Sequence, residues 1–387
     1  MRLFTAWIYA LFLFFSLGQL GRISFFKQEI NFYAYEIILI SGLFWLIATY
    51  RFVPLIKSYN RYKPIFVFFA ILALSLAISL PSFTIRENVI ASLYFVRLLF
   101  YFLFLFYASY YLKNKKKDTS VFLHGIFLFV GITLTTSTVQ YFFYPDLRNL
   151  FYLGWDPHLF RVFGLFFDTS TAAAIYGLIL LFFLFHKDLS KNTKMRFLVI
   201  VAFAVLSLLT YSRAFYLSFS VVFITYLAAR RKYLSIVLFL FGLAGSLFLL
   251  PKPFGEGANL KRVFSIETRL DDYKTAFSLW KKNPVFGIGY NHLRYAKQKT
   301  GQLPNESFVV SHSGASLHSS FLMILVTSGA LGFAAFLWAL LRIGSLSYEA
   351  AYYTGFLSIF SLFDNILLHP FVLFFYVSFL ILLVRYR

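Results

Sequence analysis

The stretch Phe197–Ala229 reads FLVIVAFAVLSLLTYSRAFYLSFSVVFITYLAA. Its one charge is Arg213, set in the short break Thr210-Tyr211-Ser212-Arg213. Apolar runs on both sides of so tight a turn read as two helices in a bilayer rather than as part of a soluble fold. Both are short for a crossing of ~20 residues, which leaves partial re-entry open. The turn puts Arg213 beside the N-terminus of the second helix, where guanidinium and helix end both attract phosphate. A snorkelling interfacial arginine would have the same sequence.

Outward from this pair the pattern repeats. Twelve candidate spans follow one another: Leu3–Leu20, Asn31–Tyr50, Pro64–Phe83, Val89–Leu112, Val121–Phe143, Leu165–His186, Phe197–Tyr211, Ala214–Ala229, Tyr233–Leu250, Leu317–Leu341, Ala350–Leu368 and Phe371–Leu383. Of the 387 residues 60% are hydrophobic and 13% charged, with 54 Phe and 27 Tyr, which excludes an ordinary soluble domain and a disordered chain. The expected fold is an all-α polytopic membrane protein of about 12 transmembrane helices, a single membrane domain over residues 1–387. Gly18-Gln19-Leu20 is no small-x-small cleavage site, so the first run is expected to remain. Cysteine is absent, which excludes thiolate chemistry and disulfides. The net charge of +21 would raise nucleic acid as a partner in a soluble protein. Here most basic residues sit in short loops such as Arg51–Lys63, Lys113–Lys117 and Arg230–Lys232, so the charge reads as topology and anionic-lipid contact. The bias puts both termini in the cytoplasm.

One segment breaks the bias. Residues 251–316 form a long loop on the outer side, with ten basic and five acidic residues. Loops of this length are usually functional. Within it, Arg262–Lys282 has apolar residues at Val263, Ile266, Leu270, Tyr273, Phe277 and Trp280, the spacing of an amphipathic helix resting on a surface. Arg269 borders that stripe. Asn283-Pro284 stops the helix, and Gly287 and Gly289 make a turn. At the loop's end, Ser316 is a candidate N-cap that would put His318 in the first turn of the tenth span. The helix end favours neutral imidazole, fit to act as a base or hydrogen-bond partner; His312 is a weaker candidate. Four intramembrane charges, Glu36, Arg97, Asp168 and Asp364, fall in the outer half of the bilayer. They read as the lining of a polar cavity or as structural pairs such as Arg97 with Glu36 or Asp364. Asp271 and Asp272 are adjacent on a helix and point about 100° apart, so no metal-holding carboxylate pair is evident, and the seven His are scattered. A metal-independent reaction with no cofactor is expected.

Leu208-Leu209-Thr210-Tyr211-Ser212-Arg213 is similar to the "LTxSRG" signature of the O-antigen ligase and polymerase superfamily. Arg269, Trp280 and Asn283-Pro284-Val285-Phe286-Gly287-Ile288-Gly289 resemble its "R…W…(D/N)PxxGxG" run. His318-Ser319-Ser320-Phe321-Leu322 with Ser328-Gly329-Ala330-Leu331-Gly332 resembles its "HNxxLxxxxxxGxxG" run, and Arg161-Val162-Phe163-Gly164-Leu165-Phe166 its "RxxGxF" segment. The chain departs from the pattern at Ala214, where Gly is usual, and at Ser319, where Asn is usual. Tyr290-Asn291-His292-Leu293 also replaces a "PGNF"-like piece.

The resemblance implies a membrane glycosyltransferase of the C-type fold in the bacterial inner membrane, with its active site facing outside. Such an enzyme takes a glycan from undecaprenyl pyrophosphate. It passes the glycan en bloc to an acceptor such as lipid A–core, or as a polymerase onto a new repeat. It implies catalytic roles for Arg213, Arg269 and His318, and pyrophosphate binding by Arg213, Arg269 and Arg161. A transporter or flippase for a lipid-linked substrate is the other class open at this point, although no pseudo-repeat of two six-span halves is evident.

Overall fold

The computed structural model describes residues 2–26, 28–153, 155, 158–186, 193–251, 264–303 and 316–385. Among them are fourteen α-helices: α1 (Arg2–Ser16), α2 (Ala34–Tyr50), α3 (Val53–Ser79), α4 (Ile85–Asn114), α5 (Thr119–Phe143), α6 (Thr169–Phe185), α7 (Thr193–Leu208), α8 (Arg213–Ala229), α9 (Tyr233–Leu249), α10 (Phe264–Trp280), α11 (Leu293–Lys299), α12 (Ser320–Gly344), α13 (Tyr348–Ser361) and α14 (Pro370–Arg385). Each of the twelve candidate spans contains one helix; α10 and α11 are the two extra ones, in the 251–316 stretch. Four segments are long and apolar enough to cross a membrane by themselves: Val53–Ser82, Ile85–Asn114, Lys116–Phe143 and Ser320–Gly344. The expected twelve crossings therefore correspond to twelve helices, several of them too short to span alone.

The all-α expectation needs one correction. Strands β1 (Arg22–Phe25) and β2 (Ile30–Tyr33) pair antiparallel, with Arg22 opposite Tyr33. The first run leaves the helix at Ser16, and Asn31–Tyr33, expected in the second span, is strand. Glu36 explains the second boundary, because its carboxylate accepts the Tyr33 amide at 3.0 Å and so fixes the first turn of α2. In the same way Asp168 caps α6, accepting the Ser170 and Thr171 amides, so Leu165–Phe167 lies outside the helix expected there. The eleventh span is shorter than expected: α13 stops at Ser361, and turns carry the chain to α14.

In the bundle α12 lies along α3, α1 along α5, α4 along α14, α6 along α7, and α8 along α13. Helices α6 and α14 are buried nearly all round, as uniformly apolar helices should be, while α9 buries none of its residues. At one end Arg342 donates to the Arg61 carbonyl at 2.8 Å, so the end of α12 meets the start of α3. The residues of interest are gathered at the other end of α12.

One joint positions them. Helix α12 is broken at Gly329, whose φ is +66°. An unbroken helix would bond the Ala330 amide to the Val326 carbonyl and the Leu331 amide to Thr327. Instead the chain after α10 is laid into the break. Val326 O accepts from Ile288 N at 3.0 Å and Thr327 O from Gly289 N at 3.0 Å. Ala330 N donates to Pro284 O at 2.8 Å and Leu331 N to Val285 O at 3.3 Å. All four freed groups are satisfied again, which a bilayer demands of any broken helix. Ser75 of α3 sits on the same joint, its Oγ 2.6 Å from Phe286 O and 2.8 Å from Thr327 O. The Pro-x-x-Gly-x-Gly run and the Ser-Gly-x-x-Gly run are thus two halves of one structural element. It fixes α10 against α12.

Candidate functional site

The α7–α8 turn is built by its own hydroxyls and by Arg161. Thr210 Oγ1 donates to Ser207 O at 2.7 Å, Tyr211 takes a left-handed φ of +53°, and Ser212 Oγ caps α8 by accepting Phe215 N at 3.3 Å. Arg213 is therefore the first residue of α8, as its sequence predicts. Arg161, buried, donates through Nε to Thr210 O at 2.9 Å. That bond braces the turn from behind, and Arg161 lines neither of the two cavities described below.

Helix α10 brings Arg269 to Arg213. The two line one cleft of about 370 Å³ with Ala214, Leu217, Leu270, Tyr273 and Phe363. Two guanidinium groups thus meet in a cleft whose other walls are mostly apolar. The Arg269 Nε is buried and has no hydrogen-bond partner. Tyr273 ties this part of α10 to the turn after α13, donating to Leu362 O at 2.9 Å.

Helix α10 buries one side and leaves another open. The described side chains buried on it are Ala276 and Leu279, whereas Leu270 and Phe277, from the apolar stripe read in the sequence, are 52% and 45% exposed. Helix α10 packs on α12 through the Asp272–Ala276–Leu279 side, because the joint at Gly329 orients it so. Arg262 and Val263, the expected start of this helix, lie outside the described residues, as does His312.

That rotation brings Asp272 to His318. The carboxylate Oδ2 accepts from the His318 amide at 3.0 Å and from its ring Nδ1. An ionised carboxylate only accepts, so Nδ1 carries the proton and Nε2 is the basic nitrogen. The cap is Ser319 rather than Ser316: its Oγ faces Leu322 N at 3.4 Å, and His318 precedes the helix. The titration of the His318 ring is set by Asp272 more than by the helix end. The Asp272 hydrogen bond holds the His318 pKa above the ordinary imidazole value, against burial. Burial would raise the Asp272 carboxyl, but the bond from His318 and the charge of Lys297 outweigh it and hold it below the usual carboxylate range. Lys297 Nζ is 3.8 Å from Asp272 Oδ1 and donates to Ser316 O at 3.0 Å.

His318 also lines a second, larger cavity of about 710 Å³. Of the four expected cavity charges, Arg97, Asp168 and Asp364 line it and Glu36 does not. Glu36 is buried and paired instead, its Oε1 2.6 Å from Arg97 Nε and bonded by the Tyr101 hydroxyl. Arg97 thus takes part in both readings, pairing with Glu36 and facing the cavity. Asp168, His318 and Pro370 lie at the starts of α6, α12 and α14, so the positive ends of three helices converge here. Arg269 is near enough to act electrostatically on Arg213, on His318 and on Asp364, so it stands between cleft and cavity.

The sequence reading missed Asp272, Lys297, Arg22 and Arg294, the last two of which also line the cavity. A signal existed for Asp272, three residues after Arg269 and hence on the same helix face. His292 is buried and stacked at 4.0 Å on Phe83, with Ser79 Oγ 3.2 Å from Nδ1. Burial pushes its pKa down to about 4, so it is a neutral packing residue.

Fold and site together define a helical membrane protein with a paired-arginine cleft beside a histidine. Residues 197–337 match the family described as O-antigen ligase. The matched stretch contains Arg213, Arg269 and His318 and runs from α7 almost to the end of α12. It carries the resemblance to the O-antigen ligase superfamily seen in the motifs. No curated protein matches the chain.

Proposed function

We propose that this protein is a glycan transferase of the bacterial inner membrane, acting on its outer face. It moves a polysaccharide en bloc from undecaprenyl pyrophosphate to a hydroxyl of an acceptor such as lipid A–core. The observation that carries the reading is the shared cleft of Arg213 and Arg269 beside His318. A polyprenyl pyrophosphate needs cationic groups for its head and apolar wall for its first isoprene units, and the cleft offers both.

In the reaction the anomeric C–O bond to the pyrophosphate breaks and a C–O bond to the acceptor oxygen forms. The leaving group departs with the bonding electron pair as undecaprenyl pyrophosphate. Arg213 and Arg269 hold the charge that develops on it. His318 Nε2 takes the acceptor's hydroxyl proton. The acceptor enters from the 710 Å³ cavity that His318 lines. No metal or cofactor is assigned a role.

The test is the undecaprenyl-linked glycan of cells lacking the gene. Long chains stranded on the carrier are the expected result. Single repeats stranded there would make the protein a polymerase of the same superfamily. An unchanged pool, with substrate moved by proteoliposomes and no glycan product, would make it a transporter.

A further inference from the structure

We infer that Asp272 is a positioning residue for the transfer: through Nδ1 it fixes the tautomer and ring plane of His318, with Lys297 holding the carboxylate in place. The inference rests on the reading of His318 as the base, and it goes beyond the three residues that the motifs single out.

The geometry has three parts. One oxygen, Oδ2, is held by both the amide and the ring of His318, so backbone and side chain of that residue are clamped by a single carboxylate. The other oxygen, Oδ1, faces the Lys297 ammonium at 3.8 Å, and Lys297 is itself buried and anchored on Ser316 O. The clamp therefore joins three segments of chain: α10, α11 and the residues leading into α12. His318 is the loosest of the three, its side chain 37% exposed against 18% for Asp272 and 8% for Lys297. A base on so open a loop needs an orienting partner if Nε2 is to meet the acceptor hydroxyl repeatedly in one geometry. Without the carboxylate, either tautomer is open to the ring, and the one with Nε2 protonated cannot accept a proton.

Three charged groups face His318, Asp272 and Arg269 from α10 and Asp364 from the turn after α13, with Lys297 of α11 behind Asp272. Asp272 and Asp364 favour the imidazolium, while Arg269 opposes it. Removing one of them moves the titration of the base in a direction set by its sign. A loss of kcat at unchanged donor KM, together with that shift, separates positioning from a merely structural role.

The experiment uses the full chain reconstituted in proteoliposomes with an undecaprenyl pyrophosphate-linked glycan and a hydroxyl acceptor. Initial rates are measured from pH 5 to 9 for the wild type and for Asp272→Asn, Lys297→Met and His318→Gln. The isostere Asp272→Asn is expected to lower kcat about 10–100-fold, part of the 10²–10⁴ that a positioned base contributes. KM for the donor should stay, since Arg213 and Arg269 are untouched. The acid limb of its kcat profile should move to lower pH, because the group that raises His318 is gone. Lys297→Met should lower kcat less than Asp272→Asn does, because the carboxylate stays but loses its anchor. Wild-type kcat with an unmoved limb in Asp272→Asn, while His318→Gln is inactive, would overturn this inference and leave the base assignment standing. Transfer by His318→Gln at the wild-type rate would overturn both. Should Asp272→Asn fail to insert, the longer carboxylate Asp272→Glu, measured in the same way, decides: kcat and acid limb both as in the wild type would refute the clamp.

Discussion

The joint between the Asn283–Gly289 segment and the break in α12 makes the most exacting demand on single atoms. A Cβ placed on Gly329 would lie 2.6 Å from the Phe286 amide nitrogen and closer still to the Val285 carbonyl. Carbon prefers neighbours at ~3.5–4.0 Å. Both opposing groups are backbone, and neither has a rotamer to escape into. The residue's φ of +66° and ψ of −171° add strain of about 1–3 kcal/mol for any side chain. Relieving the clash means withdrawing the Pro284–Gly289 segment, which gives up four hydrogen bonds worth about 1 kcal/mol each. Gly329→Ala is thus expected to cost about 5–7 kcal/mol at this joint. The assay is thermal unfolding of the detergent-solubilised protein together with glycan transfer. Gly131→Ala serves as the matched control, because nothing lies within 4 Å of a Cβ there. The control should keep its melting temperature, while Gly329→Ala should melt far earlier and lose transfer, since α10 then no longer holds Arg269 and Asp272 in place. Equal melting temperatures for the two alanine variants would refute the reasoning.

Four other outcomes follow from the site. Arg213→Ala and Arg269→Ala should each cut transfer by about 10²–10³-fold with the protein still inserted, as loss of one charge-stabilising donor does; rates of vesicle-reconstituted variants check this. Arg269→Lys should not restore the rate, because an ammonium cannot grip two phosphate oxygens at once. Arg97→Met leaves the Glu36 carboxylate buried without its cation and should cost about 3–5 kcal/mol, much of it regained in the double variant Arg97→Met/Glu36→Leu; melting temperatures decide. The Asp272–His318 pair should stabilise the fold within a pH window. His318, raised in the folded state, contributes below its unfolded value of about 6.5 and loses that contribution as pH rises through the folded value; Asp272, depressed, contributes above about 3.9 and loses it as pH falls. The melting difference between wild type and Asp272→Asn should thus be widest between roughly pH 4 and 6.5 and narrow on both sides.

Much of this was legible in the sequence because a bilayer imposes length and polarity on each segment separately. Phe197–Ala229 announces two helices and a turn, and the hydroxyls and arginine of that turn do what local capping chemistry requires. What could not be read was rotation about a helix axis. The apolar period of α10 gave a stripe through Leu270 and Phe277, but not which side of the helix packs on α12. Here the packed side is chosen by the joint at Gly329, which joins residues some forty apart in the chain. Asp272 consequently reads as part of a solvated acidic pair yet folds against His318. The boundaries missed at Asn31 and Leu165 share one cause: the apolar pattern runs on ahead of the helix, and a carboxylate, Glu36 or Asp168, fixes where the helix begins.

The same joint explains why the functional groups can stand so close together. Arg213 and His318 belong to the starts of two helices that are not neighbours in sequence, and neither segment alone offers a pair of cations or a positioned base. Helix α10 supplies what is missing to both, Arg269 toward the cleft with Arg213 and Asp272 toward His318, three residues apart on one face. A single helix therefore sets the distance between the paired arginines and the histidine. Its own hold on the bundle is the backbone pairing into the broken α12, together with Tyr273 on Leu362. Backbone pairing of this kind tolerates many side chains but not a shift in register. The register of Arg269 and Asp272 can thus hold while Leu270 and Phe277, exposed on α10, are free of that constraint.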